Sequence, residues 1–259
     1  MRWMRFLHEA RATLGRIEGD EIVVHEGDLF AGPQATGTRI ALAALPDSAW
    51  LPPCEPGQII GLWNNFRAAA AKNGWPAPAE PLYFLKSPGS ATGHAQPIPA
   101  PPPEAGRVFY EGELAVVIGR AAHRISPAQA SEHIFGYACA NDVTALELLQ
   151  RDPAFPQWTR AKSFPGFGAF GPWIETDFDP AAATLRTLVG GRERQASALS
   201  DMFFAPAELV SRLSQDMRLA PGDVILCGTP PGALPMRPGT TVEVVIDGIG
   251  TLRNVFGAT

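Results

Sequence analysis

The segment Tyr110-Glu111-Gly112-Glu113-Leu114-Ala115-Val116-Val117-Ile118-Gly119 places the tightest limit on how this chain can fold. Its apolar, β-branched run predicts a strand, expected over Val108–Ile118. Alternate side chains of a strand share a face, so Glu111 and Glu113 point the same way, with Cα atoms about 6.5–7 Å apart. Leu114, Val116 and Ile118 cover the opposite face. Two carboxylates side by side in an apolar strand repel each other and lose solvation, so a buried pair needs a counter-charge, which a divalent metal supplies. Taken alone, the pair also fits a solvated edge strand.

The rest of the chain reads as strands with few, short helices. Ala12–Ile17 and Glu21–His25 flank the turn Glu18-Gly19-Asp20 and predict a small β-meander within a domain over residues 1–50. Leu51–Gly57 (LPPCEPG) reads as a linker to a main domain over residues 58–259. Gln58–Trp63 predicts a strand, and Arg67–Asn73 a helix stopped by Gly74. The proline-dense Gln96–Glu104 is expected to be an extended surface connector. Ser126-Pro127 with Gln129 predicts a capped helix through His133, followed by a strand over Ile134–Ala140 and a helix over Thr144–Arg151. Pro206 opens a helix with Leu209, Val210, Leu213 and Met217 on one face. Val224–Cys227 predicts a strand, and Thr241–Ile246 with Ile249–Phe256 a hairpin across Asp247-Gly248. This order implies a β-rich α+β fold, not a doubly wound sheet.

Asp142, in Ala140-Asn141-Asp142-Val143-Thr144, lies between a predicted strand and a predicted helix, where it can join the glutamates or serve as an N-cap. Three carboxylates without matching histidines or cysteines favour Mg²⁺, or else Mn²⁺ or Ca²⁺, over zinc. Lys162, in Ala161-Lys162-Ser163-Phe164, can balance that charge or hold a substrate carboxylate or enolate.

In that order, Glu111–Gly119, Ala140–Thr144, Ala161–Phe164 and Leu226-Cys227-Gly228-Thr229-Pro230-Pro231-Gly232 resemble the fumarylacetoacetate hydrolase superfamily, over about Ile59 to Phe256. Within it they resemble the 2-hydroxyhepta-2,4-diene-1,7-dioate isomerase and 5-carboxymethyl-2-hydroxymuconate isomerase-decarboxylase group. The resemblance implies a mixed β-sandwich roll and a homodimer. It implies Glu111, Glu113 and Asp142 as metal ligands, Lys162 as the catalytic lysine, and Gly228 and Thr229 at the substrate carboxylate. Lys86, in Tyr83-Phe84-Leu85-Lys86, falls in another shared segment and is expected to support the pocket.

The sequence departs from the family at the lid. Many members carry a histidine and a glutamate three residues apart there, as the dyad that activates water. Here Asn65-Phe66 stands in place of an Asn-Tyr pair, and Ala69 and Lys72 stand where the dyad would fall. Alanine cannot act as a general base, and lysine brings the opposite charge. His94 is a substitute only if its loop folds over the pocket. Asn64, Asn65 and Arg67 are expected to reach the ligand from the base of the lid.

A divalent ion chelated by a 2-oxo acid can stabilise its enolate, the intermediate shared by tautomerisation, decarboxylation and C–C hydrolysis. Only hydrolysis needs activated water. The expected activity is therefore an isomerase or decarboxylase of aromatic-compound degradation, acting on a 2-oxo or 2-hydroxy-dienoic mono- or dicarboxylic acid. An acylpyruvate-type hydrolase ranks second, and a catalytically degenerate ligand-binding homologue third. The formal net charge of −5, with no basic block, argues against nucleic acid as a partner. No apolar run is long enough for a membrane helix, and the three scattered cysteines suit free thiols in a reducing cytoplasm.

Overall fold

Short alternating segments separated by Gly, Asp and Pro favour strands, and these dominate the computed structural model, which describes residues 1–257. The chain opens with β1 (Arg2–His8), β2 (Arg11–Glu18), β3 (Glu21–Glu26) and β4 (Gln34–Ala41), antiparallel neighbours in chain order. Next come β5 (Ile59–Trp63), α1 (Arg67–Asn73) and β6 (Leu82–Lys86), followed by the short β7 (Ala91–Thr92), β8 (Pro97–Ile98) and β9 (Val108–Phe109). The middle of the chain supplies β10 (Gly112–Ile118), β11 (Ile134–Asp142), β12 (Thr144–Ala145), α2 (Leu146–Leu149), α3 (Trp158–Lys162) and β13 (Gly168–Glu175). The last part forms β14 (Thr184–Val189), β15 (Arg192–Ala198), α4 (Pro206–Asp216), β16 (Val224–Leu226), β17 (Thr241–Ile246) and β18 (Gly250–Phe256).

Two sheets face each other. The larger runs β4-β3-β2-β1-β13-β11-β10-β16-β5-β6, and the smaller runs β15-β14-β17-β18-β8. Leu114 and Val116 from the first pack against Leu185, Val244 and Leu252 from the second, forming the main core of a β-rich α+β sandwich. The meander continues the large sheet, because β1 pairs with β13 at Arg2↔Glu175 and Trp3↔Ile174. Met4, Phe6, Ile22 and Val24 pack under Trp50 on one face of the meander, while Trp3 and Leu14 join a core shared with β10 and β11.

The structure corrects several expectations. β10 is not an edge strand: β11 and β16 flank it, and all seven of its residues are buried. The strand expected over Val108–Ile118 breaks at Tyr110 and Glu111. There the Tyr110 hydroxyl donates to Gly232 O (2.8 Å) and the Glu111 N–H donates to the Asn141 side chain (2.9 Å). The helix expected over Thr144–Arg151 shrinks to α2, because Thr144 and Ala145 pair with β9 instead. Pro127–His133 forms a 3₁₀ helix, not an α-helix, although Gln129 does accept the Ser126 N–H (3.1 Å). The expected surface connector is partly docked: β8 pairs in parallel with β18, and Ile98 is fully buried. Elsewhere local signals suffice. Gly74, at φ +68°, caps α1, and α4 buries Leu209, Val210 and Leu213. Among the described residues no helix is long and apolar enough to cross a membrane.

Candidate metal centre and its cavity

Antiparallel pairing sets the three carboxylates side by side. Gly112 lies opposite Asn141 in the β10–β11 ladder, and the Asp142 N–H donates to Glu111 O at 2.9 Å, so the two acidic segments run alongside each other. One carboxylate oxygen from each of Glu111, Glu113 and Asp142 lies within 4.8 Å of the other two. Gly112 permits this arrangement, since a Cβ there would stand 2.0 Å from the Thr187 hydroxyl on β14. Asp142 ends β11 and is not a helix N-cap.

Two lysines close on this group. Lys86 from β6 donates to Asp142 Oδ1 at 2.5 Å, and Lys162 from α3 donates to Asp142 Oδ2 at 2.6 Å and to Glu111 Oε2 at 2.7 Å. The Glu111 Oε1 atom accepts the Thr144 hydroxyl (3.0 Å), and Glu113 Oε2 accepts the Gly228 N–H (2.7 Å). Glu113, Asp142, Lys86 and Lys162 are all at most 2% exposed. Burial pushes the Glu113 carboxyl well above the usual range, and the charges of Asp142 and Glu111 push the same way. Glu111 is raised for the same first reason, against the pull of Lys162. Burial also works against the Asp142 carboxylate, yet Lys162 and Lys86 hold it below its ordinary value. Lys162 stays above the ordinary lysine range despite its burial, because Asp142, Glu111 and Glu113 surround it. Burial lowers Lys86, with Asp142 resisting.

Counted as ionised, three carboxylates against two ammonium groups leave one negative charge, and the candidate ligand atoms are all oxygens. A hard divalent cation fits both features.

The centre forms the floor of a cavity of about 700 Å³. Glu111, Glu113, Thr144, Lys162 and Thr229 line its deep end, and Phe84, Phe109 and Trp158 form the wall. Phe84 stacks on Trp158 (centroids 4.9 Å apart) and lies under the Lys162 ammonium at 4.7 Å. At the rim, α1 presents Ala69, Lys72 and Asn73.

The remaining residues predicted for the site divide between the cavity and its scaffold. Thr229 lines the cavity, where its hydroxyl donates to Gly112 O (3.0 Å). Gly228, at φ +91°, lies behind the cavity surface and holds Glu113. Lys86 likewise stands behind Asp142. Asn65 and Arg67 do not line the cavity. The Asn65 carboxamide donates to Cys227 O (2.8 Å) and Phe204 O (3.2 Å) and accepts the Phe204 N–H (2.9 Å). Arg67 donates to Met202 O and lies over the Phe203 ring. Asn64 lines the cavity instead. It is left-handed at φ +58° and donates to Pro76 O, while its buried Oδ1 has no partner among the described residues. His94 packs on Trp50, accepts the Arg253 N–H (3.2 Å) and does not line the cavity.

Sequence reasoning missed Gln195. From β15 it accepts the Gly112 N–H (3.0 Å) and donates to the Thr229 hydroxyl and to Pro230 O (2.8 Å each), tying β10 to the Gly228-Thr229-Pro230 turn. Its only sequence signal is weak: it is a polar residue in the polar stretch Arg192–Ala198.

Residues 58–256 match the fumarylacetoacetate (FAA) hydrolase C-terminal family, and residues 1–53 match the Rv2993c-like N-terminal family. The chain belongs to the fumarylacetoacetate hydrolase family. It is 34% identical to the oxaloacetate tautomerase YisK of Bacillus subtilis, covering 93% of this chain and 84% of that one. It is 38% identical to the 4-hydroxyphenylacetate degradation bifunctional isomerase/decarboxylase of Salmonella dublin, over 76% of this chain and 46% of that one. The crystal structure of 5-carboxymethyl-2-hydroxymuconate delta-isomerase from Mycobacterium smegmatis superposes with a TM-score of 0.89 at 37% identity, covering 99% of each chain. Members of the fumarylacetoacetate hydrolase family are enzymes, among them isomerases, decarboxylases and hydrolases, and they typically depend on a divalent metal.

Proposed function

We propose that this protein is a Mg²⁺-dependent isomerase or decarboxylase that stabilises the enolate of a 2-oxo acid. The observation that carries this reading is the carboxylate group at the cavity floor, where Glu111 and Glu113 line the cavity with Lys162 and Asp142 converges on them from behind. Glu111, Glu113 and Asp142 would hold the ion, which when bound supplies Lewis-acid stabilisation of negative charge on the substrate oxygens.

The chain's own contribution is positional. An ammonium group has three donors. Lys162 commits two of them to Asp142 and Glu111, which leaves one for an oxygen of a ligand in the cavity it lines. Asp142 and Glu111 fix where that donor points. Gln195 and Thr229 fix the turn opposite. The stacked Phe84 and Trp158 form an apolar wall that excludes water from one side of the ligand.

Tautomerisation takes a proton from C3, sends its electron pair to the keto oxygen, and returns a proton elsewhere. Decarboxylation reaches the same enolate when CO₂ leaves C3. Neither needs a water nucleophile. Ala69 and Lys72, on the face of α1 that lines the cavity, provide no base to activate one. A substrate from aromatic degradation, a homodimer and a boundary between residues 50 and 58 belong to the same reading and are supported by family resemblance, while a cytoplasmic location is proposed from the three free cysteines.

The test is a panel of 2-oxo and 2-hydroxy-dienoic acids assayed with Mg²⁺, following enol absorbance and CO₂ release together. EDTA is expected to abolish turnover and Mg²⁺ to restore it. Mg²⁺ is also expected to raise the melting temperature of the wild type but not of Glu113→Gln. Turnover that survives metal removal overturns the proposal, and products that have gained water place the enzyme among the hydrolases.

A further inference from the structure

The cavity has a second pole that the enolate chemistry does not use. α1 turns Ala69, Lys72 and Asn73, spaced three and four apart, onto the cavity surface. Asn73 donates back to Ala69 O at 2.8 Å. Lys72 forms no ion pair among the described residues, whereas Lys162, the other lysine lining the cavity, is held by two carboxylates. Asp152 shares the rim but accepts the Ala154 N–H (2.9 Å) and makes no ion pair with Lys72.

We propose that Lys72 is a specificity-determining residue that binds the distal carboxylate of a dicarboxylic 2-oxo acid. The inference rests on the reading of the floor given above. With a divalent ion, the three carboxylates and two lysines there sum to one positive charge, which the first carboxylate of a substrate neutralises. A second carboxylate finds no cation on the floor, and an unpaired charge among Phe84, Phe109 and Trp158 is costly. Lys72 is the cation left to receive it. A cavity of about 700 Å³ is also far larger than a three-carbon acid requires. A monocarboxylate of the same length leaves Lys72 in water at no cost, so the lysine selects for charge at the far end of the chain.

The experiment titrates Mg²⁺-loaded protein by tryptophan fluorescence, which Trp63 and Trp75, paired at 4.8 Å near α1, make sensitive to rim occupancy. The probes are oxalate and pairs of saturated 2-oxo acids with and without a terminal carboxylate, at five, six and seven carbons. At the best-fitting length the terminal carboxylate is expected to tighten binding about tenfold, the size of one charge-assisted hydrogen bond. Lys72→Met should erase that gain without weakening the monocarboxylate partner, and Lys72→Arg should keep it. A gain that persists in Lys72→Met, or is missing at every length while oxalate still binds, overturns the assignment and leaves the floor intact. Failure of oxalate to bind overturns both.

Discussion

The floor and the rim of the cavity are built in opposite ways. The floor gathers five ionisable side chains from four separate segments, four of them buried and Glu111 half-buried; Lys86, Lys162, Asp142 and Glu111 share hydrogen bonds, and Glu113 accepts the Gly228 N–H. The rim is a seven-residue helix with an alanine and an exposed lysine facing the cavity. Buried charges are cheap only in company, so no floor residue can change without leaving a partner stranded. An exposed lysine owes nothing to its neighbours. On the proposed function, the chemistry is therefore fixed by the fold, while the choice of substrate is free to drift on α1.

Three substitutions can break or sharpen this contrast. The largest effect is expected from Asp142→Ala, which strands Lys86 and Lys162 in the interior. Urea unfolding should show a loss of about 3–5 kcal/mol, and a loss near zero would mean that the floor is not the rigid end. Gln195→Ala should cost less, about 1–3 kcal/mol, for leaving the buried Gly112 N–H unpaired. It should also weaken Mg²⁺ binding measured by calorimetry, since Gly112 sits between two of the proposed ligands. Lys72→Met should change stability by no more than about 0.5 kcal/mol. A larger loss would give the rim a structural duty and weaken its separation from the floor.

The same contrast governs what could be read from the sequence. Glu111 and Glu113 were legible as carboxylates in an apolar strand, and Asp142 and Lys162 joined them through the family motifs; the structure brings all four together. The meander, α1, α4 and the closing hairpin were legible from local periodicity and turn residues. What escaped was set by distant partners. Asn141 and Gly232 draw Tyr110 and Glu111 out of the strand. β9 unwinds the start of the expected helix after Asp142. The left-handed turn at Asn64 breaks strand alternation, so Asn64 lines the cavity while Asn65 braces Cys227 and Phe204. Gln195 carries no hydrophobic signal, and its role is visible only once two sheets are stacked.

The seam between β1 and β13 has a consequence beyond the site. Arg2 and Trp3 occupy the flank of the strand that runs beside β11, the strand ending in Asp142. A chain cut before Ile59 would bare that flank together with the apolar surface that Trp3 and Leu14 cover. Unsatisfied backbone next to a greasy patch is an invitation to polymerise. The N-terminal meander thus covers an edge that would otherwise stand open to other copies of the chain.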